Sequence, residues 1–128
     1  MRLLLDTCTF LWLVTRSSEL SSEAIRLFQS PENEVYLSSV STWEIGIKYA
    51  LGHLPLPGPP SAYIPKVREE HGVRALPLAE ESTLYVSHLP DYHRDPFDRM
   101  LVCQAIVQNL VILTPDPELR RYPVRTRW

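Results

Sequence analysis

The run Leu3-Leu4-Leu5, with no polar residue in it and stopped abruptly by Asp6-Thr7, is the feature that most narrows what this chain can fold into. Consecutive apolar positions suit a strand buried on both faces, as in a parallel sheet covered by helices. Thr7 to Val14 reads as a helix that begins where the strand stops, so strand, acid and helix form the first unit. The same alternation continues. Ser21-Ser22-Glu23 caps a helical pattern through Ala24, Ile25, Leu27 and Phe28. Glu34–Leu37 is a second short strand. Ser38–Ser41 opens a helix carrying Trp43, Ile45, Ile47, Tyr49 and Leu51, where length and the Glu44-Lys48 spacing favour helix over alternation.

Gly52–Pro60, with two glycines and four prolines, is a connector that cannot continue that helix. Beyond it the pattern predicts a helix over Tyr63–His71 closed by Gly72, a strand over Val73–Leu76 and a helix over Leu78–Leu89. Asp95-Pro96-Phe97-Asp98 is a strong helix start, with Asp95 as N-cap and Pro96 in the first position, and the helix runs to about Asn109. Val111–Leu113 and Val124 mark the last two strands. Short apolar strands alternating with helices predict an α/β fold, a three-layer α/β/α sandwich around a parallel sheet. At 128 residues the expectation is a single domain over 1–128, large enough to bury a core without disulfides or a structural metal.

Composition removes several function classes. Apolar content of 45 % and charged content of 22 % are those of an ordinary globular chain. Leu3–Leu5 and Phe10–Val14 are too short to span a bilayer and lack a signal peptide's layout, which predicts no membrane association. Cys8 and Cys103 form neither a CxxC pair nor a disulfide framework, in keeping with a reducing cytoplasm. A net charge of −2 supplies no general attraction to nucleic acid, so any such role must be local.

The acids carry the functional reading. Taken singly, Asp6 is a helix cap, Glu44 half of a solvated i,i+4 pair with Lys48, Asp98 a first-turn acid and Asp116 the cap of a short last helix. Their positions in the fold say more. Asp6 and Asp116 follow strand ends and Asp98 sits at a helix start, and in an open parallel sheet these points share the edge where ligands bind. Glu44, early in the helix after the second strand, can face the same crevice. A cluster of like charges with no thiolate among them calls for a hard cation, Mg²⁺ or Mn²⁺, and one of its acids should titrate unusually high. Such ions hydrolyse phosphodiesters. Thr7, Ser39, Ser41 and Thr114 lie beside these acids and serve either as caps or to orient water.

The segments LLLDTCTFLWL, SSVSTWEIGIKYALGHLPLP, HRDPFDRMLVCQA and TPDPELRRYPV together resemble VapC-type toxins of the PIN-domain class, in order and over nearly the whole chain. The resemblance implies a five-stranded parallel sheet of order 3-2-1-4-5. It further implies a metal-dependent endoribonuclease using Mg²⁺ or Mn²⁺, an RNA substrate, a homodimer, and a small VapB-like antitoxin that blocks the pocket. Motif by motif, it makes Asp6, Glu44, Asp98 and Asp116 both the catalytic and the metal-binding residues, and leaves Asp95 as a cap. Cys8 stands where relatives often carry His, and Pro115 where the residue is usually small. Neither touches the four acids.

Competing readings are weaker. An aspartyl-nucleophile phosphatase needs a second acid two residues after Asp6, where Cys8 stands, and a phosphoacceptor domain needs an acidic pair and a late Lys that are missing. A catalytically inactive module that binds a partner or RNA is the alternative that survives. His53, His71, His88 and His93 read as surface or capping residues, with His93-x-Asp95 a weak metal pattern. Arg94 and Arg99, flanking the DPFD turn, are the expected phosphate contacts. The Arg-rich tail from Arg120 to Arg127 is either an RNA contact or a solvated terminus. Amphipathic positions in Ala24–Phe28 and Tyr63–Val67 are candidate partner contacts or core.

Overall fold

The computed structural model describes residues 1–128. Along the chain run β1 (Arg2–Leu5), α1 (Thr7–Thr15), α2 (Ser22–Gln29), β2 (Glu34–Ser38), α3 (Ser39–Ala50), α4 (Pro60–Glu70), β3 (Arg74–Leu76), α5 (Glu80–Leu84), α6 (Pro96–Gln108), β4 (Val111–Leu113) and β5 (Thr126–Arg127). Single 3-10 turns occupy Tyr85–His88 and Leu119–Arg121. The strands form one sheet in the order β3-β2-β1-β4-β5, every neighbour parallel.

The Leu3–Leu5 run explains the layering. β1 is central, with Leu4 in register with Tyr36 of β2 and Ile112 of β4. Successive side chains of a strand point to opposite faces. Leu3 and Leu5 accordingly join Phe10, Leu13, Leu27, Ile45 and Ile64 in one core, while Leu4 joins Leu101, Val102, Ile112 and Leu119 in the other. Each such burial contributes roughly 1.5–3 kcal/mol, so an apolar residue is required at all three positions. No helix is long and apolar enough to cross a membrane.

Helix starts follow their capping residues. Asp6 Oδ1 accepts from Thr9 N, Ser21 Oγ from Ala24 N, Ser38 Oγ from Val40 N, and Asp95 Oδ1 from Phe97 N and Asp98 N. These bonds satisfy amide groups that the first turn leaves unpaired. At the other end of α6, Asn109 adopts a left-handed conformation, φ 56°, that stops the helix.

Four expectations shift. The helix expected from Tyr63 begins at Pro60, because a proline is well suited to the first helical position, and it tolerates Pro65 in its interior. The helix expected over Leu78–Leu89 is shorter, α5 giving way to the 3-10 turn at Tyr85–His88. Ala79 supplies no side-chain cap, and the chain leaves the turn at Leu89 ahead of Pro90. The last strand falls at Thr126–Arg127 instead of Val124, with Ile112 N donating to Arg125 O and Thr114 N to Arg127 O. Among the residues weighed as partner contacts, Ala24, Leu27, Ile64 and Val67 are buried in the core.

Candidate functional site

Strand ends and helix starts meet at the carboxyl edge of the sheet, and there the four predicted acids line one cleft of about 220 Å³. Asp6, Glu44, Asp98 and Asp116 share it with Asp95, Thr7, Cys8, Trp12, Lys48 and Pro115. Two larger clefts, of about 340 and 350 Å³, hold no carboxylate in their walls. Convergent chemistry, not size, singles out the acidic one.

Each acid reaches the cleft by a different local device. Asp6 is the cap of α1, and its second oxygen accepts a hydrogen bond from the Thr114 hydroxyl that follows β4. Both oxygens keep a lone pair for a further partner. Burial raises the Asp6 pKa, against the lowering effect of the Thr114 and Thr9 hydrogen bonds. Glu44 differs from the solvated pair expected of it, since the residue is only 4 % exposed. Its Oε2 accepts from Lys48 Nζ at 2.5 Å, while Oε1 is buried with no hydrogen-bond partner. A buried carboxylate oxygen left unpaired is costly.

Asp98, in the first turn of α6, is pushed up to about 7, first by burial and then by the charges of Asp95, Asp6 and Glu44, with His93 opposing. Asp116 follows β4, where Oδ1 accepts from Glu118 N in a tight turn; the 3-10 turn beyond it is capped at Glu118, not at Asp116. Asp95 is the cap that the sequence indicated, and its charge also faces the cleft.

His93 is the residue that sequence reasoning undervalued. Its Nε2 lies 3.3 Å from Asp98 Oδ2 and 3.3 Å from Asp116 Oδ2, so the three side chains form one cluster. The available signal was the HRDPFD spacing, which sets an imidazole on the loop entering α6. The other expected neighbours divide. Thr7 and Ser41 are buried and bonded to each other, Oγ1 to Oγ at 3.0 Å, and Thr114 bonds Asp6, but Ser39 is exposed and lies outside the acidic cleft.

Arg99, expected near a phosphate, is instead committed to the loop before α6. Its Nη1 donates to Pro90 O at 2.9 Å and to the Tyr122 hydroxyl at 3.2 Å. Arg94 is exposed. In the Arg-rich tail, Arg121 pairs with Glu118, Arg125 with Asn109 and Arg127 with Glu23, which favours the bland reading of those three. Cys8 and Cys103 are both free, and burial plus the charges of Asp6 and Glu44 raise the Cys8 thiol pKa, keeping it protonated.

The donor set suits a hard divalent cation. It offers oxygen ligands without a thiolate, Glu44 Oε1 lacks a partner, and Asp98 is held against ionisation by burial and by its acidic neighbours. A cation would meet all three conditions.

Comparison with known proteins bears on the family and the fold. The chain is 34 % identical over 83 residues to ribonuclease VapC16 of Mycobacterium tuberculosis, a match covering 62 % of this chain and 53 % of that relative, so it spans about half the relative's length. Among solved structures it is similar in fold to a chain of VapBC2 from Rickettsia felis bound to a promoter DNA fragment. That match has TM-score 0.72 and 14 % identity over 99 % of this chain and 98 % of the other. It is likewise similar to a chain of VapBC-1 from nontypeable Haemophilus influenzae, with TM-score 0.67 and 18 % identity over 99 % and 97 %. The family model of the PIN domain matches residues 3–125, and the chain belongs to that family.

Proposed function

We propose that the protein is a divalent-metal-dependent endoribonuclease, the toxin of a toxin–antitoxin pair, built as one domain over residues 1–128. The observation that carries the reading is the meeting of Asp6, Glu44, Asp98 and Asp116 in a single cleft, with Glu44 Oε1 buried and unpaired. A relative named as a ribonuclease supports RNA as the substrate. Asp6, Glu44, Asp98 and Asp116 hold Mg²⁺ or Mn²⁺ and are the catalytic residues. Such an ion neutralises charge on a phosphodiester and acidifies a water molecule. Asp6 and Thr114 fix one wall of the site, Lys48 holds one oxygen of Glu44, and Asp95 holds the start of α6 on which Asp98 rides.

A small protein antitoxin and a second copy of the chain are the proposed partners, in a cytoplasmic setting. The structural relatives are described as VapBC assemblies. On α3 and its C-cap, Trp43, Ile47 and Leu51 recur at helical spacing and are 61 %, 37 % and 62 % exposed. An apolar stripe of that kind favours a protein contact.

The test is cleavage of single-stranded RNA by purified protein in Mg²⁺ or Mn²⁺, in excess EDTA, and by Asp98→Asn. Cleavage confined to the metal-loaded wild type supports the proposal. Undiminished cleavage in EDTA refutes the metal requirement, and binding of RNA or a partner without cleavage points to an inactive module.

A further inference from the structure

His93 is a titratable group beside the cleft to which the four-acid reading gives no task, and its surroundings are specific. The ring is held on both sides. Asp95 N donates to Nδ1 at 3.0 Å, and Nε2 faces Asp98 Oδ2 and Asp116 Oδ2, both at 3.3 Å, with hydrogen-bond geometry to Asp116. Its backbone is held as well. The N–H groups of His93 and Tyr92 both donate to the hydroxyl of Tyr122, at 2.8 and 3.2 Å, and that side chain is buried. Arg99 Nη1 donates to the same hydroxyl.

These contacts assign the tautomer. A ring nitrogen that accepts from a backbone N–H carries no proton, so in the neutral imidazole the proton sits on Nε2 and points at Asp116 Oδ2, with Asp98 Oδ2 at 3.3 Å from the same nitrogen. A histidine that binds a metal through one nitrogen donates through the other. Here the other nitrogen accepts, so direct ligation through Nε2 is disfavoured. The group is built as a donor to the acids.

We propose that His93 is a positioning residue for the metal centre: its Nε2–H, oriented by the Asp95 N–H···Nδ1 contact, donates to Asp116 and, lying 3.3 Å from Asp98 Oδ2 as well, keeps the two carboxylates side by side so that one divalent cation would meet both. The inference rests on the metal-binding reading given under Proposed function. Ligating carboxylates depend on such outer partners, whose removal weakens metal binding by roughly 10–100-fold. Glu44, which lines the same cleft and whose Oε1 is buried without a partner, supplies independent ground for a cation there.

Three substitutions separate this role from its rivals, read as Mn²⁺ affinity by calorimetry and by electron paramagnetic resonance of the free ion, with circular dichroism confirming the fold. His93→Gln sets an amide N–H near the position of Nε2 but gives up the acceptor for Asp95 N. His93→Asn keeps an acceptor near Nδ1 but falls short of the carboxylates. His93→Leu does neither. Positioning predicts that Gln stays near wild-type affinity while Asn and Leu each lose on the order of 10–100-fold. Rescue by Asn and not by Gln would assign His93 to loop support and overturn the inference. Equal losses in all three, the mark of a direct imidazole ligand, would overturn it too, as would wild-type affinity in all three. Absence of Mn²⁺ binding by the wild type would remove the metal-binding reading along with it.

Discussion

Glu44 and Lys48 stand one turn apart on α3 with Oε2 and Nζ 2.5 Å apart, and the contact satisfies only one oxygen of a carboxylate that is almost wholly buried. A surface pair of this spacing contributes little to stability. This one differs because the acid cannot turn to water. Lys48 is the sole cation bonded to a site of several acids, and its own pKa is raised, first by the hydrogen bond to Glu44.

Lys48→Met therefore leaves a buried Glu44 carboxyl without its donor. Chemical denaturation in EDTA should report a loss of about 1–3 kcal/mol, and saturating Mn²⁺ should recover part of it, since the ion faces the same carboxylate. A loss unaffected by Mn²⁺ would indicate that Glu44 is not among the ligands.

Asp98 gives the apo protein an unusual pH dependence. Its pKa is about 7 in the folded protein against 3.8 as the ordinary value, so between these limits the folded state holds a proton that the unfolded state has released. Stability then falls as pH rises from about 4 to 7 and levels off above, the opposite of an acid stabilised by an ion pair. Thermal melts in EDTA across that range should trace the decline for wild type, and the Asp98→Asn variant should make it shallower, leaving the part that the raised Asp6 pKa contributes. Metal must displace this proton, so Mn²⁺ affinity should increase through the same interval.

The central strand makes a sharper demand on the core. Leu4→Ala should lower stability by about 2–5 kcal/mol, because Leu4 of β1 is fully buried in the core that also holds Leu101 and Val102 of α6. Urea unfolding would measure it.

The α3 stripe supplies a test of assembly. Trp43→Ser together with Leu51→Ser should leave the melting temperature of the isolated chain within a few degrees, since surface substitutions cost roughly 0.5 kcal/mol or less. Light scattering should then find a dimer for wild type and a monomer for the double variant.

Much of the architecture was legible because it depends on short-range rules. Leu3–Leu5 required a strand buried on both faces, and Asp6, Ser21 and Asp95 marked helix starts that their hydrogen bonds bear out. Asp6, Asp98 and Asp116 follow strand ends or open a helix, and in a parallel sheet those points share one edge, so their meeting is legible in the sequence. What escaped depends on contacts between distant segments. Glu44 looks solvated beside Lys48, yet in the folded chain it is almost wholly buried. His93 acquires its neighbours only when the loop before α6 is pinned by Tyr122, 29 residues later. Arg99 seemed free for a phosphate until the same hydroxyl and Pro90 O claimed it.

The central claim, that these acids form a cation site and not a set of helix caps, is tested most directly by thermal unfolding of wild type and Asp98→Asn at pH 8, each with EDTA and with Mn²⁺. Removing one charge from a crowded cleft while keeping its shape should leave the apo melting temperature equal or higher and shrink the Mn²⁺-induced rise, which at a hundredfold excess over Kd corresponds to about 2.7 kcal/mol for wild type. A variant that melts lower without metal yet keeps the full Mn²⁺ response would contradict the account.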